Sequence, residues 1–307
     1  MLEFRRITLD DREKVNKALA VSDFKGCEYS FANNLAWCRL ADSKICFYKD
    51  FYIVCSFGNE DGIPTFILPS GSGDYREVIT EMRNFSNSMG HPLRMCGVTD
   101  NSLQMLEEMY GGEISCFLDR DGCDYIYYRN DLAELKGKKF HGKRNHLAKF
   151  NRLDSEFSLI TEKDYDDCIS FIVSDYNSRY DDNTSHSAIA EQYAVNTYFN
   201  NFEELELKGG IIRIDGKISA VTIGERLSSD TFCVHIEKAD RNFEGIYTGI
   251  CNKFVNACTE GFTYINREED LGIEGLRKSK LSYHPAFLLN KYIVNFTKGS
   301  FYYNLQQ

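Results

Sequence analysis

Charged side chains of both signs follow one another closely in the stretch Tyr264–Tyr292. A short apolar strand is predicted at its start and a helix from Leu271, with Asp270 as the N-cap and His284-Pro285 ending the helix. Acidic side chains therefore precede basic ones across a single helix. Two interpretations stay open: the charges complement the helix dipole, or they form one wall of a cleft between carboxylates and cations. The charged residues that form this pattern are Arg267, Glu268, Glu269, Asp270, Arg277, Lys278, Lys280 and Lys291.

A histidine and a glutamate could provide acid–base chemistry in the strand predicted over Thr231–Glu237. His235 and Glu237 alternate with Val234 and Ile236, so a period of two predicts that both polar side chains lie on one face. An imidazole and a carboxylate about 7 Å apart could take a proton from an attacking amine. The alternative is a half-exposed strand with a solvated polar face. Glu237 is the stronger candidate because it lies at the strand end.

Basic residues are concentrated in Lys136–Arg152, where a helix is predicted from Lys138. The segment holds seven Lys or Arg, two His and no acidic residue, so the rest of the chain has 36 − 7 = 29 Lys or Arg against 46 Asp or Glu. With Phe140 and Phe150 interleaved, the segment could contact several phosphates of a nucleic acid in a salt-dependent way. A solvated basic helix packed against the acidic body of the protein is the alternative.

The composition excludes several classes of protein. At 307 residues the chain is long enough for two domains, and 43% hydrophobic residues provide their cores. No window approaches the roughly 18 apolar residues of a membrane helix, and the N-terminus lacks the apolar core of a signal peptide, so we expect a cytoplasmic protein. The eleven cysteines form no C-x-x-C pair, so neither a disulfide framework nor a metal site is predicted. A net charge of -10 restricts nucleic-acid binding to a local surface.

One order of elements occurs twice along the chain: a strand, two helices, a three-stranded meander, a helix, a strand, a helix and a strand. We therefore predict an α/β (α+β) fold with two mixed sheets, each flanked by helices. The order resembles the GNAT acyltransferase fold, here in tandem. The predicted domains are residues 1–130, a basic bridging helix over 131–155, and residues 156–307 with the candidate site. The predicted elements include the strands Phe4–Ile7 and Phe287–Phe296 and the helices Asp164–Tyr180 and Gly245–Cys258.

The junction between the last meander strand and the next helix is informative in a GNAT-like fold. GNAT enzymes that use acyl-CoA carry several glycines there, and their N–H groups hold the pyrophosphate. In the second half this junction keeps one glycine, Gly245, beside the acidic Glu244, so pyrophosphate should bind poorly. The first-half junction, Ser70–Asp74, has more glycine but also ends in an acid, and it is either a plain turn or a phosphate site.

Two long motifs with their neighbours carry a family resemblance: Tyr125–Tyr127 with Leu132–His146, and Asn266–Lys280 with Tyr283–Pro285. They resemble a family of bacterial proteins related to the C-terminal catalytic domain of phosphatidylglycerol lysyltransferase. The resemblance covers nearly the whole chain and implies a tandem GNAT-like fold, as in the Fem-type peptidoglycan aminoacyltransferases. In those relatives an aminoacyl-tRNA gives its aminoacyl group to a hydroxyl or an amine.

The resemblance also implies roles for single residues. Glu237, Glu269 and Asp270 would hold the ammonium of the donor amino acid, while Lys278, Lys280 and Tyr283 would lie near the ester and the acceptor. A strand-edge N–H or Lys280 would stabilise the oxyanion. The expected catalytic residues are thus Glu237, Asp270 and Lys280. The expected substrate-binding residues are His235, Arg267, Glu269, Arg277, Lys278 and Tyr283. The residues expected to face the tRNA end or its phosphates are Lys143, Arg144, Asn145 and His146.

We therefore expect an acyltransferase that uses aminoacyl-tRNA as co-substrate and holds no permanently bound cofactor. Two alternatives remain open: an N-acyltransferase that uses acyl-CoA, and a non-catalytic module that binds RNA or a small ligand. Faster release of tRNA in the presence of an acceptor would support the first function. Stabilisation by CoA would support the second, and salt-dependent tRNA binding without turnover would support the third.

Overall fold

The computed structural model describes residues 2–177 and 186–297 of the chain. They fall into two compact units, one of Met1–Asp124 with Leu289–Gln307 and one of Tyr125–Leu288. Two mixed sheets of seven strands organise them. The predicted helix Asp164–Tyr180 lies partly outside the described residues, as does most of the C-terminal segment, for which no element was predicted. Within the described ranges, no helix has the length and apolarity needed to cross a membrane.

The helices and strands have the following bounds. The helices are α1 Arg12–Ser22, α2 Phe31–Trp37, α3 Tyr75–Ser88, α4 Asp100–Tyr110, α5 Arg129–Glu134, α6 His141–Phe150, α7 Tyr165–Asn177, α8 His186–Asn200, α9 Ile246–Cys258 and α10 Glu274–Leu281. The strands are β1 Ser43–Tyr48, β2 Phe51–Ser56, β3 Thr65–Ile67, β4 Ser70–Gly71, β5 Arg94–Val98, β6 Ile114–Leu118, β7 Asp124–Tyr128, β8 Ser155–Leu159, β9 Lys208–Ile214, β10 Lys217–Arg226, β11 Thr231–Ala239, β12 Tyr264–Asn266, β13 Phe287–Leu289 and β14 Tyr292–Phe296.

The sheet of the first unit has the order β1-β2-β3-β5-β14-β6, and the short β4 pairs with β2. β3 and β5 run parallel, whereas the pairs on either side of them are antiparallel. Ile53 and Met95 from the sheet are fully buried with Val78 of α3 and Leu106 of α4. The core of this unit therefore lies between the sheet and these two helices.

The sheet of the second unit has the order β13-β7-β12-β11-β10-β9-β8. Val234 of β11 packs with Phe254 of α9, while its neighbour His235 stacks on Tyr198 of α8. Adjacent residues of a strand point to opposite faces of the sheet. The two helices α9 and α8 therefore cover opposite faces, as expected for a sheet flanked by helices.

Several predicted elements differ from the structure because sheet membership depends on distant partners. The predicted strand Phe287–Phe296 is two strands: β13 pairs with β7, and β14 lies between β5 and β6 in the other sheet. Lys291, between them, forms ion pairs of 2.7 Å with both Glu28 and Asp124 of the first unit. The predicted domain end at residue 307 therefore differs from the observed division, and β7 lies in the second sheet rather than the first.

Two further predictions are corrected by local geometry. The expected strand Phe4–Ile7 contributes only an isolated bridge between Arg5 and Ile45. The expected bridging helix over 131–155 is interrupted, because Leu135 takes a left-handed backbone conformation with φ 49° after α5. A new helix, α6, begins at His141.

Candidate active site

A bulge in β11 separates the two residues that were expected to act together. His235 has no partner in the register between β10 and β11, so one extra residue enters this strand. Before the bulge, Val234 packs towards α9; after it, Ala239 packs towards α9, and Glu237 shares its side by alternation. Lys238 accordingly faces α8, where it pairs with Glu191 at 3.1 Å. His235 and Glu237 thus lie on opposite faces, and the prediction of a shared face is wrong.

On the α9 side, Glu237 belongs to a group of polar and aromatic side chains that we call the Arg267 cluster. It consists of Glu237, Arg267, Tyr283, Lys143 and Tyr127. Arg267 Nη2 donates to Glu237 Oε1 at 2.7 Å, and both side chains are 11% exposed. The Arg267 guanidinium lies 4.6 Å from the ring centre of Tyr283 and 5.6 Å from that of Tyr127. Lys143 Nζ lies 3.5 Å from the ring centre of Tyr283.

Different elements hold each member of the cluster in place. Arg267 directly follows β12, which pairs on both edges, with β11 and with β7. The Tyr283 hydroxyl contacts Thr248 Oγ1 of α9 at 3.2 Å, and the Tyr127 hydroxyl of β7 donates to the Lys280 carbonyl at 2.8 Å. Buried aromatic rings with hydrogen-bonded hydroxyl groups thus pack against the charged groups.

One donor in this cluster has no partner. Arg267 Nη1 is buried and makes no hydrogen bond with the described residues. An unsatisfied buried donor costs about 1–3 kcal/mol, and more when it is charged. Glu237 Oε1 accepts the hydrogen bond from Nη2, so the ion pair fixes the guanidinium while Nη1–H has no acceptor among the described residues.

Lys143 is the second unusual cation of the cluster. Burial, followed by the positive charge of Arg267, lowers its pKa to about 8, against the influence of Cys251 and Glu237. The Tyr283 ring acts in the opposite direction, since an aromatic face favours the ammonium form. Lys143 was expected to face tRNA phosphates, but its amine instead lies on Tyr283.

Asp270 is fully committed to neighbouring groups. Its carboxylate accepts from the Tyr125 hydroxyl at 2.5 Å, from Arg277 at 2.8 Å through both Nε and Nη2, and from the Gly272 N–H at 2.9 Å. These hydrogen bonds, that of Arg277 foremost, hold its pKa well below the ordinary value despite burial. The expected N-cap role is wrong, because α10 begins at Glu274 with Ile273 as its N-cap.

Lys280 is committed in the same way. Its ammonium donates to the carbonyl oxygens of Arg267, Glu268 and Glu269 at 2.5, 3.1 and 2.5 Å. A lysine has three donors, so these carbonyls can occupy all of them. Glu268 and Leu271 in this loop take positive φ values of 56° and 52°, which explains why the loop needs such an anchor. Lys280 holds the loop that follows Arg267.

His235 lies on the α8 face among polar side chains. Its Nδ1 is 2.8 Å from Glu268 Oε1 and its Nε2 is 3.0 Å from Glu225 Oε1, and the side chain is 1% exposed. Burial alone would lower the pKa of His235, but Tyr198, Cys233 and Glu225 hold it well above the ordinary value. Cys233, His235 and Glu268 bring ligand atoms within 4.8 Å of one another, a donor set that zinc accepts. Carboxylates at both ring nitrogens, however, match an imidazolium better than a metal ligand.

The remaining predicted residues are spread around the second unit. Arg144 donates to the carbonyls of Leu135 and Gly137 at 2.6 and 2.7 Å, so it closes the turn before α6. Asn145, His146 and Lys278 are exposed. Several cations of the basic segment already have acidic partners, as the alternative interpretation predicted. These pairs are Lys136–Glu134, Lys139–Asp131 and Lys149–Glu244, at 2.8, 2.8 and 2.5 Å.

Both strand–helix junctions are filled by the protein itself. A Cβ at Gly245 would lie 2.1 Å from the His146 carbonyl oxygen, because α6 packs directly on the start of α9. In the first unit, Asp74 Oδ1 accepts from the N–H groups of Arg76 and Glu77 at 2.8 and 3.4 Å. A carboxylate therefore caps α3 where a phosphate would need to bind.

Comparisons with known proteins place these observations in a family. The family model described as "Phosphatidylglycerol lysyltransferase, C-terminal" matches residues 19–295. An uncharacterised protein of Mycoplasmoides gallisepticum is 22% identical over 201 residues, which is 64% of this chain and 63% of that protein. The match therefore spans less than two thirds of the length of this curated relative.

Solved structures show the same fold. A conserved protein of unknown function from Bacteroides thetaiotaomicron is 38% identical, with 96% of this chain and 100% of that chain covered and a TM-score of 0.90. L-PGS from Bacillus licheniformis is 15% identical, with 96% and 95% covered and a TM-score of 0.65. FemX is 9% identical, with 99% of this chain and 100% of that chain covered and a TM-score of 0.64. A tandem GNAT protein from the clavulanic acid biosynthesis pathway is 10% identical, with 96% and 98% covered and a TM-score of 0.51. The predicted tandem GNAT-like fold is confirmed.

Proposed function

This chain belongs to the family of the C-terminal domain of phosphatidylglycerol lysyltransferase, and from that premise we propose that it is an aminoacyltransferase. The donor is an aminoacyl-tRNA, and the acceptor is an amine or a hydroxyl. The observation that carries the proposal is the Arg267 cluster, in which a buried ion pair holds a guanidinium with one unpartnered N–H, and this guanidinium and a half-buried lysine contact the same tyrosine ring.

The cluster suits the charge that develops during acyl transfer. When the acceptor attacks the ester carbonyl, its oxygen becomes an oxyanion that needs a preorganised donor. Arg267 Nη1 is such a donor, because Glu237 fixes the guanidinium and Tyr127 and Tyr283 support it. Arg267 takes the oxyanion role that was expected of Lys280, whose ammonium holds carbonyl oxygens.

The acidic residues divide into two roles on this proposal. Glu237 positions Arg267, and its carboxylate is the acidic group nearest the reacting ester for the ammonium of the donor amino acid. Asp270, with Arg277 and Tyr125 as partners, supports the loop instead of contacting substrate. Arg277 likewise acts through Asp270, and Lys280 through the loop carbonyls.

The packing of α6 on α9 favours aminoacyl-tRNA over acyl-CoA as the donor. A pyrophosphate at the start of α9 would need the space that the His146 carbonyl occupies, 2.1 Å from a Cβ placed on Gly245. The adjacent Glu244, paired with Lys149 at 2.5 Å, adds an acidic group at the same junction. A tRNA donor needs no pyrophosphate pocket, and the exposed cations of the basic segment can meet its phosphates.

The test is transfer from a labelled aminoacyl-tRNA pool with amine, amino-sugar and lipid hydroxyl acceptors. The wild-type protein should release tRNA faster than spontaneous deacylation with at least one acceptor class. Arg267→Lys should reduce the rate about 10²–10³-fold, the usual cost of losing an oxyanion donor. Arg213→Lys is the matched control, since Arg213 pairs with Asp164 at 2.6 Å elsewhere in the same unit.

Each other outcome has a defined meaning. If tRNA binds in a salt-dependent way but no acceptor class stimulates its release from aminoacyl-tRNA, the aminoacyltransferase activity is contradicted and a binding module remains. Stabilisation by micromolar CoA would contradict the aminoacyl-tRNA donor. Circular dichroism of each variant separates lost chemistry from lost folding.

A further inference from the structure

The amine of Lys143 stands apart from the other cations of its segment. Lys136, Lys139 and Lys149 are exposed and have carboxylate partners within 2.8 Å. Lys143 is half-buried, lies on the Tyr283 ring and makes no ion pair with the residues that the structure describes. Its helix, α6, adds no acidic side chain. An amine that is half-buried on an aromatic ring is less accessible to a nucleic-acid backbone than its exposed neighbours, so this placement points to a different role.

We propose that Lys143 accepts the proton of the attacking amine or hydroxyl, as the general base of the transfer. This role rests on the proposed function. The neutral amine of Lys143 takes the proton while the acceptor atom bonds to the ester carbonyl carbon. The bond from that carbon to the tRNA oxygen then breaks, and the Lys143 ammonium returns the proton to this oxygen. Atoms and charges balance without another reactant.

The surroundings of Lys143 make a neutral amine available. Arg267 from the loop after β12 repels an ammonium, whereas Glu237 of β11 and Cys251 of α9 favour it, and burial outweighs them. Tyr283, after α10, contacts both groups: its ring centre lies 3.5 Å from the Lys143 amine and 4.6 Å from the guanidinium that would hold the oxyanion. With a pKa of about 8, roughly a tenth of Lys143 is neutral at pH 7 and half at pH 8.

The first test measures the titration directly and does not depend on transfer. Reductive ¹³C-methylation labels the lysines, Lys143→Arg assigns the Lys143 signal, and NMR follows its chemical shift with pH. We expect a midpoint near pH 8, well below the roughly 10.4 of an ordinary lysine. A midpoint above pH 10 would overturn the proposal whatever the transfer assay gives.

The second test uses kinetics. Lys143→Arg keeps the positive charge but cannot accept a proton, so we expect a rate at least about 10²-fold lower with tRNA affinity within two-fold of wild type. The wild-type rate should rise with pH to a plateau above about pH 8. Lys253→Arg, at an exposed position of α9, should change neither the rate nor the tRNA affinity. If Lys143 instead anchors a phosphate, Lys143→Arg should keep the wild-type transfer rate, and Lys143→Gln should lower the salt slope of tRNA binding by about 1. That result would refute the general-base role of Lys143.

The two tests distinguish failure of the general-base role of Lys143 from failure of the proposed aminoacyltransferase function. A midpoint near pH 8 without transfer to any acceptor class would overturn the aminoacyltransferase and, with it, the base. Transfer that persists in Lys143→Arg with an unchanged pH profile would overturn the base alone.

Discussion

Replacing Gly245 by alanine tests the packing on which the choice of donor depends. Gly245 has a φ of 87°, a conformation that costs a residue with a Cβ about 1–2 kcal/mol. The added Cβ would also lie 2.1 Å from the His146 carbonyl oxygen and 3.1 Å from the Phe150 nitrogen. Because both are backbone atoms, no rotamer change relieves the clash, and α6 must move. Overpacking of this kind typically costs a further 1–3 kcal/mol, so we expect a total of about 2–5 kcal/mol.

Gly261→Ala provides the matched control for this measurement. Gly261 has a φ of 89°, almost the same as Gly245, but a Cβ there would meet no atom within 4 Å. Its cost is therefore the conformational one alone, about 1–2 kcal/mol. At about 2–4 °C per kcal/mol for a unit of this size, Gly245→Ala should melt about 2–12 °C below Gly261→Ala in thermal circular dichroism. Equal melting temperatures would refute the packing of α6 on α9, and with it the argument against acyl-CoA.

Three further changes test buried charged groups of the second unit. Asp270→Asn should lower the free energy of unfolding at neutral pH by about 1–3 kcal/mol. Because the folded pKa of Asp270 is lowered, its stabilisation exists above the unfolded pKa of about 3.9 and is lost as pH falls. If urea denaturation shows the same difference in unfolding free energy between wild type and Asp270→Asn down to about pH 2.5, this expectation is wrong. Lys280→Met should lower the free energy of unfolding by about 1–3 kcal/mol, because the loop carbonyls lose their donor. Loss of transfer at an unchanged melting temperature would instead support the catalytic role first expected of Lys280. The wild-type protein should exceed His235→Gln in free energy of unfolding most below about pH 6.5, and this difference should shrink as pH rises through the raised folded pKa of His235. A difference that widens with pH would be inconsistent with a buried imidazolium.

The fold could be predicted because its signals are local. Apolar alternation and turn residues mark most strands, and the repeated order of elements indicates two sheets of the same kind. Sheet membership is not local: Phe287–Phe296 is one apolar run in the sequence, yet β13 and β14 join different sheets. The break at Lys291 depends on Glu28 and Asp124, far away in the chain. Periodicity contains no information about such partners.

The candidate site could be predicted in part, and the missing part has a structural cause. Strand alternation singled out Glu237, the charged stretch Arg267 and the family resemblance Tyr283, and the structure brings these three together. The same alternation placed His235 with them, because a period of two cannot indicate a bulge. Lys143 belonged to a basic segment in the sequence, and only the packing of its helix distinguishes its amine from those of the neighbouring lysines.

Gly245 connects the altered junction to the proposed chemistry. In the sequence it reads as the last glycine of a phosphate-binding turn, but its missing side chain admits the His146 carbonyl. Four residues later, Gly249 admits the Phe150 ring, with a Cβ position 2.5 Å from that ring. The absence of a side chain at Gly245, the N-cap of α9, and at Gly249 in its first turn lets α6 approach closely. This approach occupies the start of α9 and also brings Lys143 of α6 over Tyr283. A change that restored a phosphate site here would therefore displace Lys143, so gain of CoA binding and loss of aminoacyl transfer should occur together.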